Sequence, residues 1–273
     1  MQGVNQFIQN FPRLKALWQY RSFVAGMVWR EFREQYLGAL FGGMWSIFNP
    51  MAMILIYTII FSKIMRARIP GIEDNLGFGL FLCAGLLPWN FFSELMSRYP
   101  TLFLQYKNLI KKISFPKITL PFIILLSSAI HFMIIFSIFQ IFLLITGRHH
   151  GWVMIGFIPL LMLQQSIALG LGIFLGTLNV FFRDVAQFVS IIVQFWFWFT
   201  PIIYPIMILP EKVRILLTYN PMTNIVIGYQ QMILYGKWPV WTGFWWHILF
   251  AIFVLFLGFK VFRKLSNELV DEL

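Results

Sequence analysis

The fold class predicted for this chain is an all-α integral membrane protein, and three observations predict it. The first is composition: 59% of the 273 residues are hydrophobic and 11% charged, and the mean hydropathy is +0.77. A soluble domain carries about 25% charged residues, so too little polar surface is available here to face water. The second is the pattern of apolar runs, each near the ~20 residues needed to cross a bilayer. They fall near 44–62, 78–97, 119–146, 153–178, 186–206 and 244–262. The third is the distribution of Lys and Arg, which follows the positive-inside rule. With six spans both ends lie on one side, and that side holds 14 of the basic residues against 7 on the other. Both termini are therefore expected in the cytoplasm, although Lys63, Arg66 and Arg68 lean the other way.

The chain is expected to form a single transmembrane domain over 1–273: an amphipathic cytoplasmic region at 1–43, a six-span bundle at 44–262 and a cytoplasmic tail at 263–273. In the first region Phe11, Leu14, Trp18, Ala25, Val28, Trp29, Phe32 and Tyr36 recur at three- and four-residue steps, with Arg13, Lys15, Arg30, Arg33 and Glu34 on other faces. That spacing predicts a helix lying along the membrane interface, in one piece or two. At the end of the second span Glu94 precedes Arg98 by one helical turn, which predicts an ion pair. The 98–118 connection is basic, with Lys107, Lys111, Lys112 and Lys117 around Pro116. His131 stands alone in the third span, and His149 and His150 fall in a turn. In the fourth span Ala168, Gly172 and Gly176 form a ridge of small residues suited to close helix packing. The outer connection 207–243 is mostly apolar and punctuated by Pro210, Pro221 and Pro239, with room for short helices near 211–219 and 223–235. Water would not tolerate that surface on a free loop, so a re-entrant hairpin packed on protein is expected between spans five and six.

Several functions are excluded or disfavoured. A lone Cys83 permits neither an internal disulfide nor a cysteine-built metal site, and the four histidines lack metal-ligand spacing, so no metal is expected. No GxxxxGK[ST] occurs, and the chain is not expected to bind ATP through a Walker loop. The net charge of +11 reports topology and contact with anionic headgroups rather than nucleic acid. Residues 1–20 lack the apolar core and cleavage site of a signal peptide, so the N-terminus is expected to be retained. Acid–base catalysis would want paired carboxylates or a poised histidine at depth; with ten acidic residues in the chain, no catalytic residue is singled out.

A conduit is better supported. On the fifth span Gln187, Ser190, Gln194, Phe197 and Trp198 share one helical face, and on the first span Ser46, Asn49, Met53 and Tyr57 form a similar stripe. Polar groups facing lipid are costly, so both stripes are expected to face protein or an aqueous path. Uncharged, ring-bearing stripes suit a bulky solute rich in hydroxyls, because the C–H face of a sugar stacks on aromatic rings. The run FWFWFTPIIYP at 195–205 reads either as an interfacial aromatic belt or as part of this lining. Five consecutive rings point all round a helix, so Trp198 is expected on the path, Phe197 at its border, and Trp196 and Phe199 in packing.

Taken in order, several motifs resemble the permease subunit of ABC transporters that export polysaccharide, the exporters of O-antigen, capsule and teichoic acid. Tyr36, Gly42, Trp45 and Pro50 in YLGALFGGMWSIFNP match that family's spaced Tyr, Gly, Trp and Pro, with Phe41 where a leucine is usual. KKISFPKITLP carries the basic stretch followed by Phe115-Pro116 and Leu120-Pro121, and NVFFRDV supplies Asn179, Arg183 and Asp184. TPIIYP and YNPMTNIVIGYQQMILYGKWP are similar to the outer segment through Thr200, Pro201, Tyr204, Asn220, Pro221, Tyr229, Gly236 and Pro239, with Gln230 where an arginine often follows the tyrosine.

The resemblance implies a homodimer of six-span subunits in a bacterial cytoplasmic (inner) membrane, with a path lined by spans one and five at the dimer axis. It implies two separate ATP-binding-cassette ATPase subunits that carry ATP and Mg, so that this chain binds no cofactor and is not itself an enzyme. It also implies a glycan on polyprenyl pyrophosphate as cargo. Arg30 and Arg33, with Tyr36 and Gly42 beyond them, are then the candidates for admitting that headgroup. Lys111, Lys112, Phe115, Pro116, Arg183 and Asp184 are the candidates for coupling to the ATPase. A secondary transporter and a membrane-bound transferase acting on a lipid-linked sugar stay open as alternatives.

Overall fold

The structure is a computed structural model, and it describes residues 20–34, 48, 51–52, 54–56, 76–113, 115–266 and 268–273. The expected first span, with Ser46, Asn49, Met53 and Tyr57, lies largely outside the described residues, as do Tyr36, Gly42, Trp45 and Pro50. Regular structure among the described residues is helical throughout. Helix α1 covers Arg21–Glu34; α2, Gly77–Arg98; α3 and α4, the short Leu102–Gln105 and Lys107–Lys112; and α5, Thr119–Ile145. After a 3-10 turn at Gly151–Gly156 come α6 (Phe157–Phe181), α7 (Val185–Trp198), α8 (Glu211–Thr218), α9 (Thr223–Tyr235), α10 (Trp245–Leu265) and α11 (Glu268–Glu272).

Three of these segments are long and apolar enough to cross a membrane: Gly77–Arg98, Thr119–Ile145 and Gly151–Phe181, matching the second, third and fourth expected spans. In its apolar stretch α2 is 78% buried and α5 only 33%. The second span is therefore the hub of the bundle, and the third lies at its edge. Packing on that hub explains the small residues of α6. A Cβ on Gly172 would run into the Tyr99 ring, and one on Gly176 would lie 2.6 Å from the Tyr99 carbonyl oxygen. The expected ridge is thus used, against the residue that caps α2. A second close approach escaped the sequence reading: a Cβ on Gly170 would lie 2.6 Å from Leu255 N, and Gly258 faces the Gly170 carbonyl. Here the backbones of α6 and α10 touch, as small residues at a helix interface allow.

The fifth expected span is shorter than predicted. Helix α7 ends at Trp198 rather than near 206, and its 14 residues rise about 21 Å, less than the ~30 Å of a hydrocarbon core. The cause is local. Pro201 and Pro205 bring no backbone N–H, and Thr200, preceding a proline, is steered away from helix. The carbonyls left over at the helix end find side chains instead: Tyr204 Oη donates to Trp198 O at 2.8 Å and Asn220 Nδ2 to Phe199 O at 2.9 Å.

The two short helices of the 207–243 segment occur where expected, with unequal burial. Helix α9 places Ile225, Val226, Tyr229, Met232 and Ile233 in the core, whereas α8 buries Leu217. Polar side chains inside the bundle hold α9 in place. Tyr229 Oη donates to Gln164 Oε1 at 2.9 Å, Gln164 Nε2 to Pro88 O at 3.3 Å, and Gln230 Nε2 to Pro201 O at 3.0 Å. Gly236 ends the helix at φ +59° with the His150 ring against it.

Candidate functional site

Helix α7 presents most of its surface outward, because Val189 and Val193 are its buried residues. Of the predicted path residues, Gln187, Ser190, Gln194 and Trp198 are exposed and Phe197 is half-buried. Ser190, Gln194 and Phe197 converge on one groove of about 310 Å³, closed on its other wall by Trp89, Ser93 and Ser97 of α2. These three recur every four residues, one stripe on one helix face. Sequence reasoning missed that stripe, although its spacing is legible. Gln187 and Trp198 lie outside the groove lining. The Trp198 ring stands edge-on to Phe197, with centroids 5.5 Å apart.

The neighbouring rings divide as their side-chain directions demand. Trp196 packs edge-on against Trp89 and Phe92, with centroids at 6.4 and 5.4 Å, and its Nε1 donates to Asn220 Oδ1 at 2.8 Å. Its packing role is as expected. Phe199 departs from expectation: it is 60% exposed, because the chain leaves the helix at that residue.

In the connection after α2, Lys111 and Lys112 are exposed in the last turn of α4, while Phe115 and Pro116 are half-buried. The Phe115 ring lies 5.3 Å from that of Phe23 on α1, and Lys117 Nζ donates to Ser266 O at 2.9 Å, beyond the end of α10. Arg183 and Asp184 are exposed in the turn between α6 and α7. Asp184 occupies the N-cap position of α7 without a side-chain cap bond. The capping acceptor is instead Asn179 Oδ1, which takes a hydrogen bond from Ala186 N at 2.9 Å.

The buried stripe of α1 is Val24, Met27 and Val28, which leaves Ala25 and Trp29 facing outward beside an apolar groove shared with α5. Arg30 pairs with Glu34 at 3.4 Å, and Arg33 is exposed. Arg30 also lines a cavity of about 860 Å³ with Glu31, Glu34, Glu94, Arg98 and Lys112. Formal charges in it balance.

Glu94 and Arg98 do pair, at 3.4 Å, but inside a larger cluster. His131 is not alone: its Nδ1 lies 4.0 Å from Glu94 Oε2. Ser128 Oγ donates to Glu94 Oε1 at 2.6 Å, and Arg98 Nη2 to Glu31 Oε2 at 2.6 Å. The sequence reading singled out neither Glu31 nor the serines; a serine pair one turn from His131 was the available signal. Among the described residues, no three His, Cys, Asp or Glu side chains are grouped to hold a metal.

Comparison with known proteins bears on what these surfaces serve. A family model described as ABC-2 type transporter matches residues 24–234. The chain belongs to the ABC-2 type transporter family. Among curated members, the O-antigen export system permease protein RfbA of Klebsiella pneumoniae is 30% identical over 247 residues, 89% of this chain and 92% of that protein. The protein of the same name from Myxococcus xanthus is 26% identical over 262 residues, 95% of this chain and 98% of its own length. The polysialic acid transport protein KpsM of Escherichia coli is 21% identical over 252 residues, 91% and 95% of the two chains. As an ABC-2 member the chain is a multi-pass transport subunit, and the matched range takes in both the α2–α7 groove and the 98–118 connection.

Proposed function

We propose that this chain is the membrane subunit of an ATP-driven exporter that moves lipid-linked polysaccharide across a bacterial cytoplasmic membrane. The observation that carries the reading is likeness over nearly the whole length to relatives named for O-antigen export and polysialic acid transport. In this reading the chain works as a homodimer of six-span subunits with both termini cytoplasmic. The 207–243 segment re-enters the outer leaflet. Two separate ATPase subunits bind ATP and Mg and press on the 107–117 segment and on the turn at Arg183 and Asp184. Arg30 and Arg33, with Tyr36 and Gly42, admit the pyrophosphate headgroup at the inner leaflet, where each basic residue contributes about 1 kcal/mol. Ser190, Gln194, Phe197 and Trp198, with Gln187 at the cytoplasmic end and Ser46, Asn49 and Tyr57 opposite, line the path for the glycan. The mixed polar and aromatic wall of the α2–α7 groove supports this, since hydroxyls and amides can meet sugar rims while Trp89 and Phe197 meet C–H faces.

The test is co-purification with the candidate ATPase subunit, followed by reconstitution and a parallel assay of surface polysaccharide in cells. ATP hydrolysis that requires both proteins, with export abolished by Asp184→Ala while insertion and hydrolysis persist, is the expected result. Glycosyl transfer by the chain alone, or export driven by an ion gradient without the ATPase, would overturn it.

A further inference from the structure

Glu31 ends the buried stripe of α1, one turn beyond Met27 and Val28, and its side chain is only 12% exposed. One carboxylate there meets three other elements. Tyr106 Oη, between α3 and α4, donates to Oε1. Arg98 Nη2, at the end of α2, donates to Oε2 at 2.6 Å, and Ser127 Oγ of α5 donates to the same oxygen at 2.5 Å. Arg98 is itself held on its far side, where Nη1 donates to Ser128 Oγ at 2.8 Å.

Tyr106 is both the C-cap of α3 and the N-cap of α4, so no residue separates it from the 107–112 helix. Beyond this contact, α1 and α4 both line the 860 Å³ cavity, through Arg30 and Glu34 on α1 and Asn108 and Lys112 on α4. Glu31 and Tyr106 line the same cavity, so the bond between them ties the two helices where they border that space. Charge-assisted hydrogen bonds are short and directional, and they strengthen in a partly buried site. A displacement of α4 through Tyr106 is therefore felt by Glu31 and, through Arg98, by the end of the hub helix.

We propose that Glu31, with Tyr106 and Arg98, is the joint that carries a displacement of the 107–117 segment into α1 and α2. This rests on the reading of that segment as the socket for the ATPase. These are positioning residues; they touch no substrate. In the joint, α1 and α4 move as one body during the ATP cycle.

The experiment uses the chain assembled with its ATPase subunits in proteoliposomes. Tyr106→Phe keeps the ring and removes the donor, and Glu31→Gln keeps the shape and removes the charge. ATP hydrolysed and polysaccharide moved are measured together. In a Cys83→Ser background, spin labels at exposed Trp29→Cys on α1 and exposed Asn108→Cys on α4 report their separation. Tyr106→Phe is expected to assemble and hydrolyse ATP normally while export per ATP falls about fivefold. The label separation should stay constant through the cycle in the parent and change on ATP addition in the variant. Unchanged export per ATP in both variants overturns the joint, as does a loss of export that tracks the amount of assembled protein. A parent complex that shows no ATP-dependent export overturns the transport reading itself, and the joint with it.

Discussion

Arg98 Nη2 lies 2.6 Å from Glu31 Oε2 and joins the end of the second span to α1 across 67 positions of the chain. Burial pushes the Glu31 carboxyl up, but hydrogen bonds from Ser127 and Tyr106 and the charge of Arg98 outweigh it and leave the carboxyl below its ordinary 4.5. A group depressed on folding contributes stability that is complete above its unfolded value and is lost as pH falls through its folded one. The purified protein should therefore keep this contribution above about pH 4.5 and shed it in more acid solution. Glu31→Gln should be less stable above that pH by about 2 kcal/mol, with the difference shrinking as acid is added. Thermal melts of both proteins in detergent across this window check it; parallel profiles would count against the ion pair.

Contact between the α6 and α10 backbones predicts a steep penalty for small side chains. Gly258→Ala drives a methyl into the Gly170 carbonyl, and Gly172→Ala drives one into Tyr99. Each should lower stability by about 1–3 kcal/mol, the usual cost of overpacking. Gly26→Ala is the control, because nothing lies within 4 Å of its added Cβ; in mid-helix it should be neutral or stabilising. Melting temperatures of the three variants decide between these outcomes.

Trp196 and Trp198 are two residues apart and should fail in different ways. Trp196→Ala removes rings packed on Trp89 and Phe92 and a hydrogen bond to Asn220, so folded protein should fall, with about 3 kcal/mol of stability lost. Trp198→Ala should leave folding intact, since that ring is 57% exposed. Surface polysaccharide should drop all the same and return with Tyr or Phe, because a stacked ring contributes about 1 kcal/mol. Equal loss at both positions, in step with the amount of folded protein, would make Trp198 a packing residue.

The α2 wall of the groove gives a further prediction. Ser93→Val changes a residue that lines the groove, so expression and melting should hold while export falls. Thr177→Val is the comparison: its hydroxyl is buried and bonded to Ile173 O at 2.8 Å within its own helix, so that substitution should alter neither export nor assembly. Polysaccharide displayed per folded exporter is the quantity to measure.

The sequence by itself determined the membrane class, the second, third and fourth spans, the two short helices of the 207–243 segment and the small-residue ridge of α6. Composition, run length, proline punctuation and spacing are local properties, and each acts within a few residues of where it is written. Local chemistry also determined that Trp196 and Trp198 point apart, since positions two apart on a helix lie about 200° around it. Tertiary structure alone decided what each face meets. Nothing near Glu31 in the chain announces that Tyr106, Arg98 and Ser127 converge on it, because all three arrive from other helices. The four-residue spacing of Trp89, Ser93 and Ser97 is written in the chain, but that α7 lies alongside and makes a groove of it is not. Helix α7 stops at Trp198 because of its local prolines, but which side chain satisfies the carbonyl left open there was a tertiary matter: Asn220, from beyond the next helix, reaches back to Phe199 O. Periodicity reports which face is apolar, but partners are chosen by packing across long stretches of chain, and there only the fold supplies the answer.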